Sequence, residues 1–472
     1  MTGSDPTLWT LAEAARAVRD KRISSEELSK AAIARIDRVA PKIDAVAAID
    51  TADALAQARA ADALLAKGAA RGALHGVPLA HKDMYYRAGR VSGCGSKIRA
   101  DFVPDVTSTA LARLDAAGAL DIARLNMVEF ALGVTGHNEV MPTPKNPWNT
   151  AHITGGSSSG SGAAVAARLV YGAMGSDTGG SIRFPACCNG VTGLKPTCGR
   201  VSRYGAMPLS PSFDTLGPLT RTVEDAALIL QEIAGADTND PTTSALPVPD
   251  YAAALGRGVK GMKIGVPENY FYDPVDAEVA NLVRASLDVL TDAGAELVAV
   301  RIPDVIADTN FLTSMAIATE GAAIHQTWLA ERPGDYGNQT RARMSTGLST
   351  PATRYLQALR LRAPILAEFA QAVFDKCDVL HCPVMLTPIP TIAETDLSAN
   401  PGFADLVVGM GHCTRPINFL GLAALTVPCG FTANGLPTAF QLVPRPFDEA
   451  TMIAAGHAYQ KATDWHRRVP TL

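Results

Sequence analysis

Eight cysteines in 472 residues are too few for a disulfide scaffold, and none forms a C-x-x-C pair or a spacing that suggests zinc. They are expected to be buried thiols, the adjacent Cys187 and Cys188 included, and no metal or other cofactor is expected. Long apolar runs are missing too. The longest, "FLGLAALTVPCGF", falls short of a bilayer span and contains Pro428, which excludes a membrane partner. The opening "MTGSDPTLWTLAEAARAVRD" lacks a basic segment followed by an apolar one, so the expectation is a soluble, cytoplasmic protein. Neither sign of charge dominates: 42 Lys and Arg against 46 Asp and Glu leave a net charge of −4. With no Lys/Arg-rich block and no basic-aromatic interleaving, no nucleic acid is expected as a partner. What is present is a 47% hydrophobic content, enough for a sizeable core and against disorder.

Along the chain, the first sixty residues read as helices. Leu11, Ala14, Ala15 and Val18 recur at helical spacing, and Ser24 with Glu27 forms a capping-box pattern ahead of Leu28. From Leu74 short apolar runs alternate with helical stretches: "VPLAHKDM", "STALARLDAAGA", "LDIARLNMVEF". The rhythm returns with a strand at Lys263 to Val266 and a helix marked by Val279, Leu282, Val283, Leu287 and Leu290. Gly294 suits the end of that helix, before the strand "AELVAV". "DVLHCPVML" and "LAALTVPCGF" read as additions to the same sheet. The fold class expected is α/β: one large domain with a mixed, mostly parallel central sheet covered by helices on both faces. Residues 1–60 form its N-terminal helical segment and 61–472 the rest.

"TGGSSSGSG", Thr154 to Gly162, is the densest run of small residues. A linker should lead into polar sequence, but "GAAVAARLV" follows, apolar on nearly every side, as in a buried helix. A phosphate loop needs a Lys that is absent, and the dinucleotide fingerprint is only partial. Gly156 to Gly160 also matches G-x-S-x-G, the nucleophile elbow of an α/β-hydrolase, with Ser158 as nucleophile and His412, His457 or His466 as later partners. Against this, no HGGG-type oxyanion segment precedes it. A further reading takes in the surroundings: the helix leads to "VYGAMGSDTGGSIRFP", a strand ending in a second Gly/Ser turn. The two turns would then lie side by side where α/β proteins place their chemistry. Upstream, "LHGVPLAHKDM" puts Lys82 at a strand end.

Together these three segments resemble the amidase signature family. Its pattern extends to "NMVEFALGVTGHNEVMPTPKNPWN", "GLKPTCGRVSRYGAMPLSPSFDTLGPLTRTVEDAA" and "GLPTAFQLVP", from about Leu74 to the C-terminal region, with a core signature over about 74–230. The resemblance implies the amidase signature fold, a cis bond between Gly156 and Ser157, and a catalytic set of Lys82 as base, Ser157 as proton bridge and Ser181 as nucleophile. The 24-residue separation of the two serines selects Ser157 from its run. Ser158 would support the set by hydrogen bonding, with Asp177 and Arg183 bracing the loop. The glycines of "DTGGS" let the amides of Thr178, Gly179, Gly180 and Ser181 turn inward as an oxyanion hole. Ser159, where the family more often has glycine, requires a backbone without positive φ.

A serine hydroxyl needs a base, and without a histidine in these motifs the candidate is a neutral lysine. At its ordinary pKa of ~10.4, Lys82 would be neutral in about one molecule in a few thousand at neutral pH. Burial has to lower it, and about two pH units correspond to roughly 2.7 kcal/mol. The reaction expected is acyl transfer from a carboxamide to Ser181, release of ammonia or an amine, then hydrolysis. The partner expected is a small-molecule amide, with anilide, ester or carbamate within reach and a homodimer as the assembly left open. Substrate choice is assigned to Val128 to Pro142, Asn310 to Leu348 and Val407 to Pro416, whose small and apolar residues suggest an apolar pocket. Three alternatives stand beside the stand-alone amidase. One is the amidase subunit of a glutamine-dependent tRNA amidotransferase, to which "GRVSRYG" also points. The others are the Ser158 esterase and a non-catalytic binding protein on the same scaffold.

Overall fold

The computed structural model describes residues 5–396, 400 and 402–472. Eleven strands form one sheet: β1 (Val46–Ile49), β2 (Pro78–Lys82), β3 (Leu120–Leu125), β4 (Gly172–Asp177), β5 (Thr192–Lys195), β6 (Thr215–Thr220), β7 (Lys263–Pro267), β8 (Glu296–Val300), β9 (Val379–Pro383), β10 (Ala424–Phe431) and β11 (Pro437–Pro444). Their order is β1-β3-β2-β4-β6-β5-β10-β11-β9-β7-β8. The sheet is mixed, as expected, but six of its ten pairings are antiparallel, fewer parallel ones than the sequence suggested. The parallel pairings concentrate where β2 lies between β3 and β4, and where β7 lies between β8 and β9.

Side chains alternate across a strand, so one sheet feeds two cores. Leu79 and Met174 pack into one cluster with Leu11, Ala14 and Val18, while their neighbours Ala80 and Ala173 pack into the other with Ile33, Ile36 and Ala163. Helices thus cover both faces. The N-terminal helices Leu11–Arg19 and Ser25–Ile43 begin with complete capping boxes, Thr10 with Glu13 and Ser24 with Glu27. β1 is the part of this segment that the helical reading missed; it pairs antiparallel with β3. The helix Ala277–Asp292 ends as expected, Gly294 following its cap residue with φ +98. Seven of the eight free cysteines are buried and Cys198 is half-buried. Among the described residues no helix is long and apolar enough to cross a membrane.

Two features position the site. β2 and β4 run parallel and adjacent, so their carboxyl ends, Lys82 and Asp177, emerge on the same side of the sheet. The helix Ser159–Ala166, every residue buried, returns the chain from the first Gly/Ser turn to the start of β4. Its second half is apolar on all sides, Ala163 to Ala166 contacting the second core without a solvent face.

Candidate active site

Lys82 is 0% exposed, and its Nζ donates to Ser157 Oγ at 2.7 Å and to Ser176 Oγ at 2.8 Å. Burial pushes its pKa down to about 7, against the opposing pull of Asp214 and Asp177. Near neutrality this amine is therefore divided between its two protonation states. Ser157 follows Gly156 through a cis peptide bond, and the neighbouring backbone is tied to the 128–134 segment by Gly156 N to Val134 O (2.6 Å) and Val128 N to Ser157 O (3.1 Å).

The second turn meets the first directly: Ser158 N donates to Ser181 O at 3.2 Å. Ser158 Oγ accepts from Ser176 N and donates to Ser176 O, both at 3.2 Å. Its hydroxyl is thus engaged with the backbone of β4. Ser158 consequently does not fit a nucleophile. No strand leads into its turn, as an elbow requires, and His412 is occupied elsewhere, stacked on Tyr270 with Nε2 against Tyr270 O at 2.9 Å. Ser159 opens the helix with no positive φ, so its presence leaves the turn undistorted. Ser161, in the same first turn, ties the helix to β4 by donating to Met174 O at 3.1 Å.

Asp177 organises the loop that carries Ser181. Its Oδ1 accepts from Gly180 N (2.8 Å) and Asn418 Nδ2 (2.8 Å), its Oδ2 from Ile182 N (3.2 Å), and Arg183 bridges both oxygens. Burial raises the carboxyl pKa, but the Arg183 guanidinium, with Lys195 and Asn418, more than offsets it and holds the group well below the usual carboxylate range. Arg183 in turn reaches Gln441 Oε1, Thr414 O and Asn418 Oδ1. Asp177 and Arg183 are thus bonded to each other and to Asn418, and Arg183 also to Thr414 and Gln441. Thr178 is fixed by donating to Asp214 Oδ1 at 2.6 Å. One expectation needs correction: the Gly180 N–H is committed to Asp177, which removes it from the four amides expected to line an oxyanion hole.

Gly180 has φ +126, and a Cβ there would lie 2.4 Å from Phe184 Cε2 and 2.7 Å from Thr414 Oγ1. Left-handed backbone and overlap act together, so Gly180→Ala is expected to destabilise the fold by about 3 kcal/mol. A lowered denaturant midpoint at unchanged m-value is the check.

Sequence reasoning missed Ser176, the second partner of Lys82, although it lies inside the quoted "GSDTGGS". It also missed Asn418, and gave no supporting role to Gln441, inside the quoted "GLPTAFQLVP", or to Thr414, inside the Val407 to Pro416 segment. Asp83, next to Lys82, faces away from the site: its carboxylate accepts from Gly93 N and Gly95 N and pairs with Arg124 at 3.1 Å. Outside this site a further lysine is buried: Lys195 donates to Leu422 O and Pro196 O, and burial lowers its pKa to about 8.

A family profile described as Amidase matches residues 27–453 of this chain. A glutamyl-tRNA(Gln) amidotransferase subunit from Roseiflexus sp. (strain RS-1) is 41% identical over 485 residues, covering 98% of both chains. A structure reported under the heading of a vestigial protein complex and the evolutionary origins of an s-triazine catabolic enzyme superposes with TM-score 0.89 at 32% identity. It covers 96% of this chain and 98% of that one. The corresponding glutamyl-tRNA(Gln) amidotransferase subunit from Thermotoga maritima superposes with TM-score 0.81 at 29% identity, covering 98% and 96%. The partner set expected from composition, without nucleic acid, is corrected by these relatives, which are named for a tRNA and as one subunit of an enzyme. Net charge describes one chain, and in an assembly the basic surface can belong to another subunit.

Proposed function

The chain belongs to the amidase family of hydrolases acting on C–N bonds, and on that premise we propose that it is the amidase subunit of a glutamine-dependent tRNA amidotransferase. The observation that carries this reading is the end-to-end likeness, 41% identity over 98% of both chains, to a subunit of a glutamyl-tRNA(Gln) amidotransferase.

In the mechanism we propose, neutral Lys82 takes a proton from Ser157 as Ser157 takes one from Ser181, whose oxygen attacks the carboxamide carbon. The amides of Thr178, Gly179 and Ser181 receive the developing negative charge on the carbonyl oxygen. Collapse breaks the C–N bond; the nitrogen leaves as ammonia with the proton returned through Ser157. Water then attacks the ester on Ser181 by the same relay, giving the carboxylic acid and the free serine. The buried contact of 2.7 Å between Lys82 Nζ and Ser157 Oγ supports the first step.

The test compares ammonia release from glutamine by the chain alone with release by the chain co-purified with its partner subunits in the presence of glutamyl-tRNA(Gln). Assembly is expected to raise the rate at least about tenfold, an ordinary size for coupling between sites. Equal rates, with broad amide hydrolysis by the single chain, would instead identify a stand-alone amidase.

A further inference from the structure

A cleft of about 960 Å³ opens at the end of the sheet opposite the Ser181 loop. β4 begins there and β6 ends there, Gly172 paired with Thr220, whereas Asp177 and the chain toward Ser181 leave the far end of β4. Six residues of strand put the two ends about 20 Å apart. The least exposed side chains lining the cleft are two arginines: Arg168, 4% exposed, four residues before β4, and Arg221, 2% exposed, directly after β6.

Arg168 stands where a side chain is disfavoured. It follows the helix Ser159–Ala166 and its cap residue with φ +63, the left-handed position that glycine occupies at least cost. Both hydrogen bonds of its guanidinium leave from Nη2, to His466 O at 3.2 Å and Arg468 O at 2.9 Å, and its Nε is buried without a partner. Arg221 donates to Trp9 O and, at 3.0 Å, to Val170 O, and its Nε is unpartnered too. His466, on the same wall, has an unpartnered buried Nδ1.

Among the described residues neither arginine has a carboxylate within ion-pair distance, whereas the buried Arg183 and Arg200 have Asp177 at 3.0 Å and Glu449 at 3.3 Å. Burial and the charges of Arg221 and Arg35 hold Arg168 well below the usual guanidinium range, against the pull of Asp225. Cations kept out of water with carbonyl oxygens as their partners are costly, and an anion entering the cleft offsets that cost.

The rest of the wall agrees. Lys461 and Arg467 add exposed positive charge. Of the carboxylates on it, Glu224 is paired with Arg16 at 2.7 Å and Glu13 accepts from Thr10 N at 2.9 Å, which leaves Asp464. Only Leu8 and Ala462 among the lining residues are apolar, so the cleft offers little to a greasy ligand.

We propose that this cleft is a binding site for a small phosphate-bearing anion, with Arg168 Nη1 as its inner donor, Lys461 and Arg467 as its outer ones and Arg221 as the buried charge behind. Phosphate oxygens match a guanidinium and can take several donors at once, which the planar carbonyl partners of these arginines do not demand. The site is separate from the reaction at Ser181.

The test titrates the full chain with pyrophosphate by calorimetry, near neutral pH in chloride buffer at constant ionic strength. One-to-one binding that saturates below about 1 mM is expected. Arg168→Gly should weaken it at least about tenfold, the range of a charge-assisted contact, while glycine accepts the left-handed backbone. Lys461→Gln, at an exposed position, should weaken it by about threefold and judges the proposal even where the Arg168 variant fails to fold. Its amide hydrolysis in phosphate-free buffer should equal that of the parent, because the cleft lies at the other end of β4. ATP in place of pyrophosphate identifies the source: tighter binding supports the site with the phosphates on a nucleotide, weaker binding supports it with the free anion. No saturable binding of either, or binding untouched by both substitutions, overturns the proposal and leaves the amidotransferase reading as it stands.

Discussion

Ser181→Ala is expected to lower kcat for amide hydrolysis by at least ~10⁴-fold, with KM and the unfolding midpoint nearly unchanged. The fold is spared because the interactions that hold this loop do not use the Ser181 hydroxyl. Ser158 N bonds to the Ser181 carbonyl, and Asp177 secures the amides of Gly180 and Ile182. Activity is lost because no other hydroxyl replaces it. Ser157 is engaged by Lys82, and the Ser158 hydroxyl is engaged by the backbone of Ser176. Steady-state kinetics and covalent labelling with a fluorophosphonate are the measurements, with the mass shift on Ser181 in the parent and none in the variant. A Ser181→Ala variant with full activity, beside an inactive Ser158→Ala, would reverse the roles of the two turns.

How far this site was legible in the sequence depends on what each residue is held by. Lys82, Ser157 and Asp177 lie at the ends of segments whose own pattern predicts them. A fully buried strand runs into Lys82, a helix with no exposed face leaves the first turn, and a strand runs into the second. Local pattern also made the capping box at Ser24 and Glu27 readable, since both partners lie within one turn. It failed at β1, where "VAAI" is too short to show alternation and acquires strand geometry only by pairing with β3. It understated the antiparallel share because direction is decided by partners remote in the chain, such as β5 with β10. The supports of Asp177 and Arg183 from Asn418, Thr414 and Gln441 come from more than two hundred residues away. No spacing rule reaches that far. The expectation of no nucleic-acid partner went wrong for another reason: composition reports one chain's surface, and the work of an assembly is divided among surfaces.

Lys82→Met is expected to separate stability from activity. An ammonium with an ordinary pKa of 10.5 is held at about 7 in the fold. Keeping it protonated there costs roughly 5 kcal/mol relative to the unfolded chain. Between those two pH values the unfolded chain binds more protons than the folded one, so the contribution of Lys82 to stability rises with pH across that window. Below about 7 the penalty is complete, and above 10.5 it is gone. Methionine fills much of the same volume without the charge, and the hydroxyls of Ser157 and Ser176, freed of Nζ, can rotate toward other acceptors. The variant should therefore gain a few kcal/mol at pH 6, less than the full ~5 because two hydrogen bonds to Nζ are lost, and the gain should shrink steadily toward pH 10. Denaturant titrations of both proteins across this range measure it. Activity moves the opposite way. With Lys82 as the base, kcat/KM of the parent should rise tenfold per pH unit up to about 7 and then level, while Lys82→Met falls by about 10³-fold or more and loses that rise. A parent profile flat between pH 5 and 8, or a Lys82→Met protein less stable than its parent at pH 6, would remove Lys82 from the role of buried base. The same burial that penalises the fold supplies the neutral amine the reaction draws on, so the two measurements read one quantity from opposite sides.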